Sequence, residues 1–328
     1  MNSPVSDAAS SWTRLWQTGV RHSCSHGFSG NYDGEIRQFW LDRFSVLTDG
    51  DIVLDLGTGN GAITLLAKTF SMERGIYPQI HGVDLADINP VDHVPGGAEL
   101  YDGISFHPST SMASLPFADG SVRLLCSQFA FEYGPRDAAA AEILRVIGTR
   151  GCAALVMHSD DSVIAAITRA QLRGCDWLLR GSSIVQDTEN LIAEMAGAGT
   201  PEARSKLGSS PSAEAARMAF NDAASQLVSR IESDPDSEIL QRAAQQIPRL
   251  LATPCSNREE ASAISFGLRA WIEDEDHRLR MMHAATLDRP ALEAVARRFG
   301  SGGLPVRTGR LLYRESICMG WTVVVGNE

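Results

Sequence analysis

The chain has 328 residues, of which 44% are hydrophobic and 21% charged, and its formal net charge at pH 7 is −11. These proportions are ordinary for a soluble globular protein that is long enough for one domain with an insertion, or for two domains. The negative charge disfavours a nucleic-acid partner, which requires a basic surface, and no apolar run approaches the length of a membrane span.

Residues 1–50 contain two groups of apolar side chains at helical spacing, and the sequence therefore predicts two helices there. The groups are Trp12, Leu15 and Trp16, then Ile36, Phe39, Trp40 and Phe44. Between them lie His22, Cys24 and His26, which superficially resemble a metal site. We disfavour a metal, because alternate spacing of this kind requires an extended segment and no second ligand pair is evident.

A short apolar run, Ile52–Leu56, predicts a buried parallel strand, and the pattern of 62–70 predicts a helix. Three glycines separate the two elements: Gly57, Gly59 and Gly61. Glycines let the backbone approach a ligand closely, and we expect free N–H groups of the turn to face it. The stretch therefore predicts a nucleotide-sized ligand at a helix N-terminus.

The glycines alone do not identify the ligand, because Gly57-x-Gly59-x-x-Ala62 also fits the dinucleotide pattern. Asp55 lies inside the strand, where its carboxylate would repel a pyrophosphate and would suit a cation. Asp55-Leu-Gly-Thr-Gly-Asn-Gly61 resembles the first motif of the class I methyltransferases that depend on S-adenosylmethionine (SAM).

The resemblance implies an α/β fold: a Rossmann-like class I methyltransferase sheet with an antiparallel last strand. It also implies SAM as cofactor and S-adenosylhomocysteine as product. Cofactor contacts are expected within the motif, at Asp55, Gly57, Thr58, Gly59, Asn60 and Gly61.

Two further segments are expected to bind the nucleoside part of the cofactor. Gln79–Val83 predicts a second strand with Asp84 at its tip, followed by Leu85, and a carboxylate there suits two ribose hydroxyls. Ile104–His107 predicts a third strand. After it, Ser111-Met-Ala-Ser-Leu-Pro-Phe117 is similar to the acid-Ala-x-x-Leu-Pro-Phe of small-molecule methyltransferases. Ser111 replaces the usual acid, so the adenine contact is weaker or re-routed, while Met112 can cover the adenine face.

The segment 122–127 predicts a fourth strand that leads to Ser127, Gln128 and Phe129, which we expect near the cofactor, and then to Glu132 and Tyr133. The fifth strand, 153–157, ends at His158. Strand ends of such a sheet face the ligand crevice. Glu132, His158 and Tyr133 are therefore candidates for a general base or for amine binding, and a structural role stays open for each. His22 and His26 are more distant candidates.

The resemblance also bears on the N-terminus, because similar methyltransferases fold such a helical segment over the cofactor as a lid. Tyr32 can offer its ring to the sulfonium or the adenine, or can simply pack the lid.

Residues 159–303 are Ala-rich and predict about five or six helices. Two strands follow, 306–315 and 317–325, and similar methyltransferases end with such an antiparallel pair. We therefore divide the chain into a lid (1–50), a SAM-binding core (51–158), a helical insertion that serves as the substrate cap (159–303) and a closing hairpin (304–328).

We expect a methyltransferase that acts on an O, N or C acceptor of a small molecule. The Asn/Asp-Pro-Pro-Tyr/Phe signature of DNA-base and protein-amide methyltransferases is missing after the fourth strand. A nicotinamide-dependent oxidoreductase and a catalytically silent binding protein remain alternatives. We expect no nucleic-acid or membrane partner, leave a homodimer open, and infer a cytoplasmic location from six cysteines without paired spacing and from the lack of a signal-peptide segment.

Overall fold

Two compact units make up the structure, a computed structural model that describes residues 4–23, 30–196 and 205–327. Unit 1 comprises Met1–Ala165 and Met281–Glu328, and unit 2 comprises Ala166–Arg280.

A seven-stranded sheet forms the centre of unit 1, in the order β3-β2-β1-β4-β5-β7-β6. The first five strands are parallel, and β7 is antiparallel to both β5 and β6. The bounds are β1 Ile52–Leu56, β2 Gln79–Val83, β3 Ile104–His107, β4 Val122–Gln128, β5 Cys152–Met157, β6 Val306–Tyr313 and β7 Ile317–Val325. The predicted sheet with its antiparallel last strand is confirmed.

The sheet is buried on both faces, which explains the nearly continuous apolar runs of its strands. Because side chains alternate along a strand, Val53 enters the core on one face, whereas Leu54 and Leu56 enter the core on the other.

Helices of unit 1 cover both faces of this sheet. They are α1 Pro4–Gln17, α2 Gly34–Phe44, α3 Ala62–Arg74, α4 Pro90–His93, α5 Gly97–Leu100, α6 Arg136–Ile147 and α12 Arg289–Gly300. A short 3₁₀ turn, Phe131–Tyr133, follows β4.

Unit 2 is helical and has its own hydrophobic core, which includes Leu178, Ile184, Leu240, Leu268 and Ile272. Its helices are α7 Val163–Asp176, α8 Ile184–Met195, α9 Pro211–Ser233, α10 Glu238–Ala252 and α11 Arg258–Ala285, with a π-helical turn at Trp177–Gly181. The ends of α7 and α11 outside Ala166–Arg280 belong to unit 1.

Unit 2 is shorter than the predicted insertion of 159–303, because 159–165 and 281–303 belong to unit 1. In α12, Leu292, Val295 and Phe299 are buried in the core on one face of the sheet. Leu287, just before it, accepts a hydrogen bond at its carbonyl oxygen from Trp321 Nε1 at 2.8 Å. An amphipathic helix has the same sequence pattern whichever core it faces, so periodicity alone does not locate this boundary.

None of the helices within the described ranges combines the length and the apolar character that a bilayer crossing requires.

Candidate functional site

A cavity of about 480 Å³ opens at the carboxyl ends of β1, β2 and β4, and every described residue that lines it belongs to unit 1. This volume lies within the usual range for small-molecule and cofactor sites. Ten of the fourteen expected cofactor residues line it: Tyr32, Asp55, Gly57, Thr58, Asp84, Leu85, Ser111, Met112, Gln128 and Phe129.

The other four, Gly59, Asn60, Gly61 and Ser127, are not among the lining residues. Asn60 is fully buried, and its Nδ2 donates to the carbonyl oxygens of Trp16 (2.8 Å) and Val20 (2.7 Å). Ser127 Oγ donates to the Leu56 carbonyl at 3.1 Å. Asn60 thus ties the end of α1 to the glycine turn, and Ser127 ties β4 to β1.

The glycines of the turn allow parts of the protein itself to pack closely. Gly57 has φ +69°, and a Cβ atom on it would lie 2.2 Å from Ala130 Cβ. Gly59 has φ +51°, and a Cβ atom there would lie 2.6 Å from the Trp16 ring.

Four amides of the turn are used inside the protein. Gly57 and Thr58 donate to the Val83 carbonyl at 2.8 and 3.0 Å, and Gly61 donates to the Thr58 carbonyl at 2.8 Å. Gly59 N donates to Asp84 Oδ2 at 2.8 Å. The expectation of free N–H groups facing a ligand is wrong for these four amides, because they donate to the end of β2, to Asp84 and within the turn itself.

Asp55 is a buried carboxylate at the end of β1. Its Oδ2 accepts a hydrogen bond from Thr58 Oγ1 at 2.7 Å, and the side chain lines the cavity. Burial, reinforced by the charge of Asp84, raises the pKa of Asp55 to about 7. An ionised Asp55 is therefore costly unless a cation occupies the cavity beside it.

Asp84 organises the turn as well as lining the cavity. Its Oδ2 accepts from Gly59 N and its Oδ1 accepts from Ala86 N, both at 2.8 Å. Burial raises the pKa of this carboxyl as well. Each oxygen has a second lone pair, so the group can still accept hydrogen bonds from two hydroxyls.

The N-terminal segment supplies aromatic walls of the cavity. Trp12 and Trp16 stack at 5.9 Å between ring centroids, and Trp12 meets Tyr133 edge-on at 5.7 Å. Tyr32 is buried and stacks on His22 at 4.5 Å. The sequence predicted the helix but not the two tryptophans as lining residues, since helical spacing does not show what a helix covers.

Other lining residues had no signal in the sequence, notably Arg21, Arg136 and Met281. His22, one of the three residues that superficially resemble a metal site, also lines the cavity. Its Nε2 lies 3.1 Å from the Gly30 carbonyl oxygen. Cys24 and His26 lie outside the described residues.

The loop after β3 forms another wall with Ser111, Met112 and, from the preceding loop, Leu85, which is 45% exposed. Ser111 Oγ accepts from Ala113 N at 3.2 Å. The loop is held by Glu142, which accepts from Leu115 N at 2.6 Å, and by Arg145, which donates to the Phe117 carbonyl at 2.8 Å.

Gln128 and Phe129 follow the end of β4. Gln128 Oε1 accepts from Trp40 Nε1, and Gln128 Nε2 is buried at the cavity without a hydrogen-bond partner in the described structure. Phe129 has φ +54°, which is uncommon for a bulky residue, and its ring stacks on His158 at 4.5 Å.

The three candidate catalytic residues form one cluster, but they differ in access to the cavity. Glu132 and Tyr133 line it, whereas His158 does not. The side chains of Glu132 and His158 are 0% and 1% exposed. Glu132 Oε1 accepts from His158 N at 2.7 Å, and the Tyr133 hydroxyl lies 3.1 Å from His158 Nε2. Of the two lining residues, Glu132 is buried and Tyr133 is partly exposed, so Tyr133 is the more accessible.

Burial favours the neutral forms of Glu132 and His158. It raises the pKa of Glu132 to about 7 and lowers the pKa of His158 to about 3.

We expect Gly57→Ala to destabilise the fold more than Gly75→Ala. Both glycines have φ near +67°, with values of +69° and +66°, but a Cβ atom at Gly75 meets nothing within 4 Å. The left-handed backbone alone costs about 1–2 kcal/mol. Contact with Ala130 should add about 1–3 kcal/mol at Gly57. Urea unfolding measures both, and equal losses would contradict the close approach.

Comparison with known proteins gave matches to solved structures only: no protein-family model matches the chain, and no curated protein does. One matching structure is geranyl diphosphate methyltransferase in complex with GPP and sinefungin (21% identity, TM-score 0.32, 38% of this chain and 45% of that one). A second is a putative SAM-dependent methyltransferase from Methanococcus maripaludis (21% identity, TM-score 0.33, 44% of this chain and 64% of that one). A third is a SAM-dependent methyltransferase from Aquifex aeolicus (17% identity, TM-score 0.34, 47% of this chain and 74% of that one). The match thus spans less than two thirds of the first two structures.

The assignment of the fold rests on the chain's own architecture. The order β3-β2-β1-β4-β5-β7-β6, the antiparallel β7 and the glycine turn directly after β1 are all present in unit 1. The chain therefore has the class I SAM-dependent methyltransferase fold, as its sequence motifs predict.

Proposed function

We propose that the chain is a SAM-dependent methyltransferase acting on a small molecule. The observation that carries this proposal is the placing of Asp55 and Asp84, at the ends of neighbouring strands, in one cavity beside the glycine turn.

The lining residues fit the chemical groups of SAM. Asp55 suits the amino group, and Asp84 retains lone pairs for the ribose hydroxyls. Arg21 lies near Tyr101, whose hydroxyl donates to the Asn60 carbonyl of the glycine turn at 2.5 Å. Arg21 therefore suits the carboxylate of the same amino-acid moiety. The loop of Ser111 and Met112 suits the adenine.

The same geometry disfavours the dinucleotide alternative. A pyrophosphate site needs amides that point at the phosphates and no carboxylate beside them. Here Gly57, Thr58, Gly59 and Gly61 donate their N–H groups within the protein, and Asp55 and Asp84 both line the cavity.

When bound, SAM supplies an electrophilic methyl group on a positively charged sulfur. The chain's own contribution is to orient both reactants and to keep water out, and proximity can supply much of the rate enhancement. The rings of Trp12, Tyr32 and Tyr133 line the cavity and suit a neighbouring positive charge.

We further propose that the helical unit, Ala166–Arg280, selects the acceptor. The support is that it interrupts the sheet between β5 and β6, where similar methyltransferases carry a substrate cap, and that it has a core of its own.

Calorimetric titration with SAM and, separately, with NAD tests the cofactor. We expect SAM to bind and Asp84→Ala to weaken it by about 1.5–3 kcal/mol, because hydrogen bonds to a charged group are lost. Asp87→Ala is the matched control, since it removes an exposed carboxylate three residues farther along.

A folded Asp84→Ala variant with unchanged SAM affinity would contradict the assignment, as would tight binding of NAD alone. Transfer of an isotope-labelled methyl group to a mixture of small molecules, read by mass spectrometry, then separates an enzyme from a silent binding protein. It also identifies the acceptor.

A further inference from the structure

Two buried polar atoms beside the cavity have no hydrogen-bond partner among the described residues: Glu132 Oε2 and His158 Nδ1. Leaving a buried polar group unpaired is costly, so a fold seldom keeps two such atoms in one side-chain cluster without a use for them. His158 Nε2 lies 4.0 Å from Glu132 Oε1 and 3.1 Å from the Tyr133 hydroxyl.

These contacts connect the cavity to His158, which does not line it. Tyr133 lines the cavity, His158 lies behind it between Phe129 and Tyr133, and Glu132 holds the His158 backbone amide. Tyrosine oxygen both donates and accepts hydrogen bonds, and a neutral imidazole has one nitrogen that accepts. The path can therefore pass a proton inward.

We propose that Tyr133, His158 and Glu132 form a proton relay, and that the acceptor is consequently an un-ionised hydroxyl group. This inference rests on the proposed methyltransferase function. As the acceptor oxygen bonds to the methyl carbon, the S–C bond breaks and leaves its electron pair on sulfur. The hydroxyl proton passes to Tyr133 Oη while the Tyr133 proton passes to His158 Nε2. The relay is restored when this proton returns through Tyr133 to water after product release.

The acceptor class follows from when the proton must leave. A hydroxyl has to lose its proton as the new O–C bond forms, because the protonated ether is a very strong acid. An amine that arrives neutral can be methylated through its lone pair and release its proton to water afterwards. A carboxylate has no proton to lose. A relay shielded from water therefore serves a hydroxyl.

His158 needs a compensating charge to hold a proton, because burial alone lowers its pKa to about 3. A proton on His158 makes an imidazolium in a buried site, and an ionised Glu132 4.0 Å away compensates that charge. Arg136 is the other charged group that acts on Glu132, and it favours the ionised carboxylate. Glu132 is thus a positioning and stabilising residue, whereas Tyr133 is the group that contacts the acceptor.

The protonation state of His158 can be tested without knowing the acceptor. ¹⁵N NMR of histidine-labelled full-length protein, with the signal assigned from a His158→Gln variant, should show Nε2 unprotonated and hydrogen-bonded. Tyr133→Phe should shift that Nε2 resonance. A proton on Nε2 in the wild type would overturn the relay, because the nitrogen could then not accept one from Tyr133.

The kinetic test uses the acceptor that the labelled-methyl assay identifies. Tyr133→Phe keeps the ring and should lower kcat by about 10²-fold or more, with KM for the acceptor little changed. Glu132→Gln, which keeps the acceptor oxygen for His158 N, should lower kcat and alter its pH dependence. Tyr77→Phe, at an exposed tyrosine, is the control.

SAM titration of each variant separates the two proposals. If wild-type protein binds no SAM, the methyltransferase proposal fails. If SAM binds normally but Tyr133→Phe retains full kcat, or if the acceptor proves to be an amine or a carboxylate, the relay fails alone.

Discussion

Replacing Ala166–Arg280 by a short Gly/Ser linker should abolish methyl transfer while leaving SAM affinity largely unchanged. SAM affinity should be retained because each unit has a hydrophobic core of its own, and transfer should be lost because the proposed selector of the acceptor is removed. The buried side chains on the two faces of the sheet all come from unit 1, and the cluster around Leu240 and Ile272 comes entirely from unit 2. The residues that line the cavity within the described ranges also belong to unit 1.

Calorimetry measures SAM affinity, and the labelled-methyl assay measures methyl transfer on the same preparation. Circular dichroism and a cooperative thermal transition serve as controls for folding. A well-folded deletion variant that still methylates the native acceptor would show that the helical unit does not select it. A folded variant that has lost SAM binding would show that the cofactor site depends on the helical unit.

Asp55→Asn should make the cofactor-free protein more stable above neutral pH and should weaken SAM binding. Burial raises the pKa of Asp55 from 3.8 to about 7, so the folded state binds more protons than the unfolded state between these values. The free energy of unfolding therefore falls as pH rises from about 4 to about 7, and the full penalty is present above that range. The difference between these two pKa values corresponds to roughly 4 kcal/mol, which is an upper bound.

Urea unfolding of the cofactor-free protein at pH 5 and pH 8 measures this effect. Asp55→Asn should show a smaller loss of stability between the two pH values than the wild type. Asp87→Asn, which removes an equal formal charge from an exposed site, should behave as the wild type does. Identical pH dependence in Asp55→Asn and wild type would mean that the ionised carboxylate is not penalised by burial. Saturating SAM should reverse the order of stability at pH 8, because the variant lacks the Asp55 carboxylate that suits the amino group of SAM.

Much of the sheet could be predicted from the chain alone, because its signals are local. Ile52–Leu56 is a β-branched apolar run bounded by glycine, and Gln79–Val83 ends at an aspartate, so each strand is marked within its own few residues. The two closing strands, β6 and β7, are likewise marked within their own residues. The end of the helical unit was not visible, because α12 has an amphipathic pattern like that of the preceding helices, although it packs on the sheet.

The site was determined only in part by sequence. The glycine turn and the carboxylates of Asp55 and Asp84 follow from residue type and from position at a strand end. Tertiary structure decided their partners: the amide of Gly59 donates to Asp84, and Asn60 holds the end of α1. It also decided access: the side chains of Glu132 and His158 are buried, and only Glu132 of these two lines the cavity, whereas Tyr133 lines it and is partly exposed. Hydrogen-bond partners and burial depend on residues distant in sequence, and spacing along one strand carries no information about them.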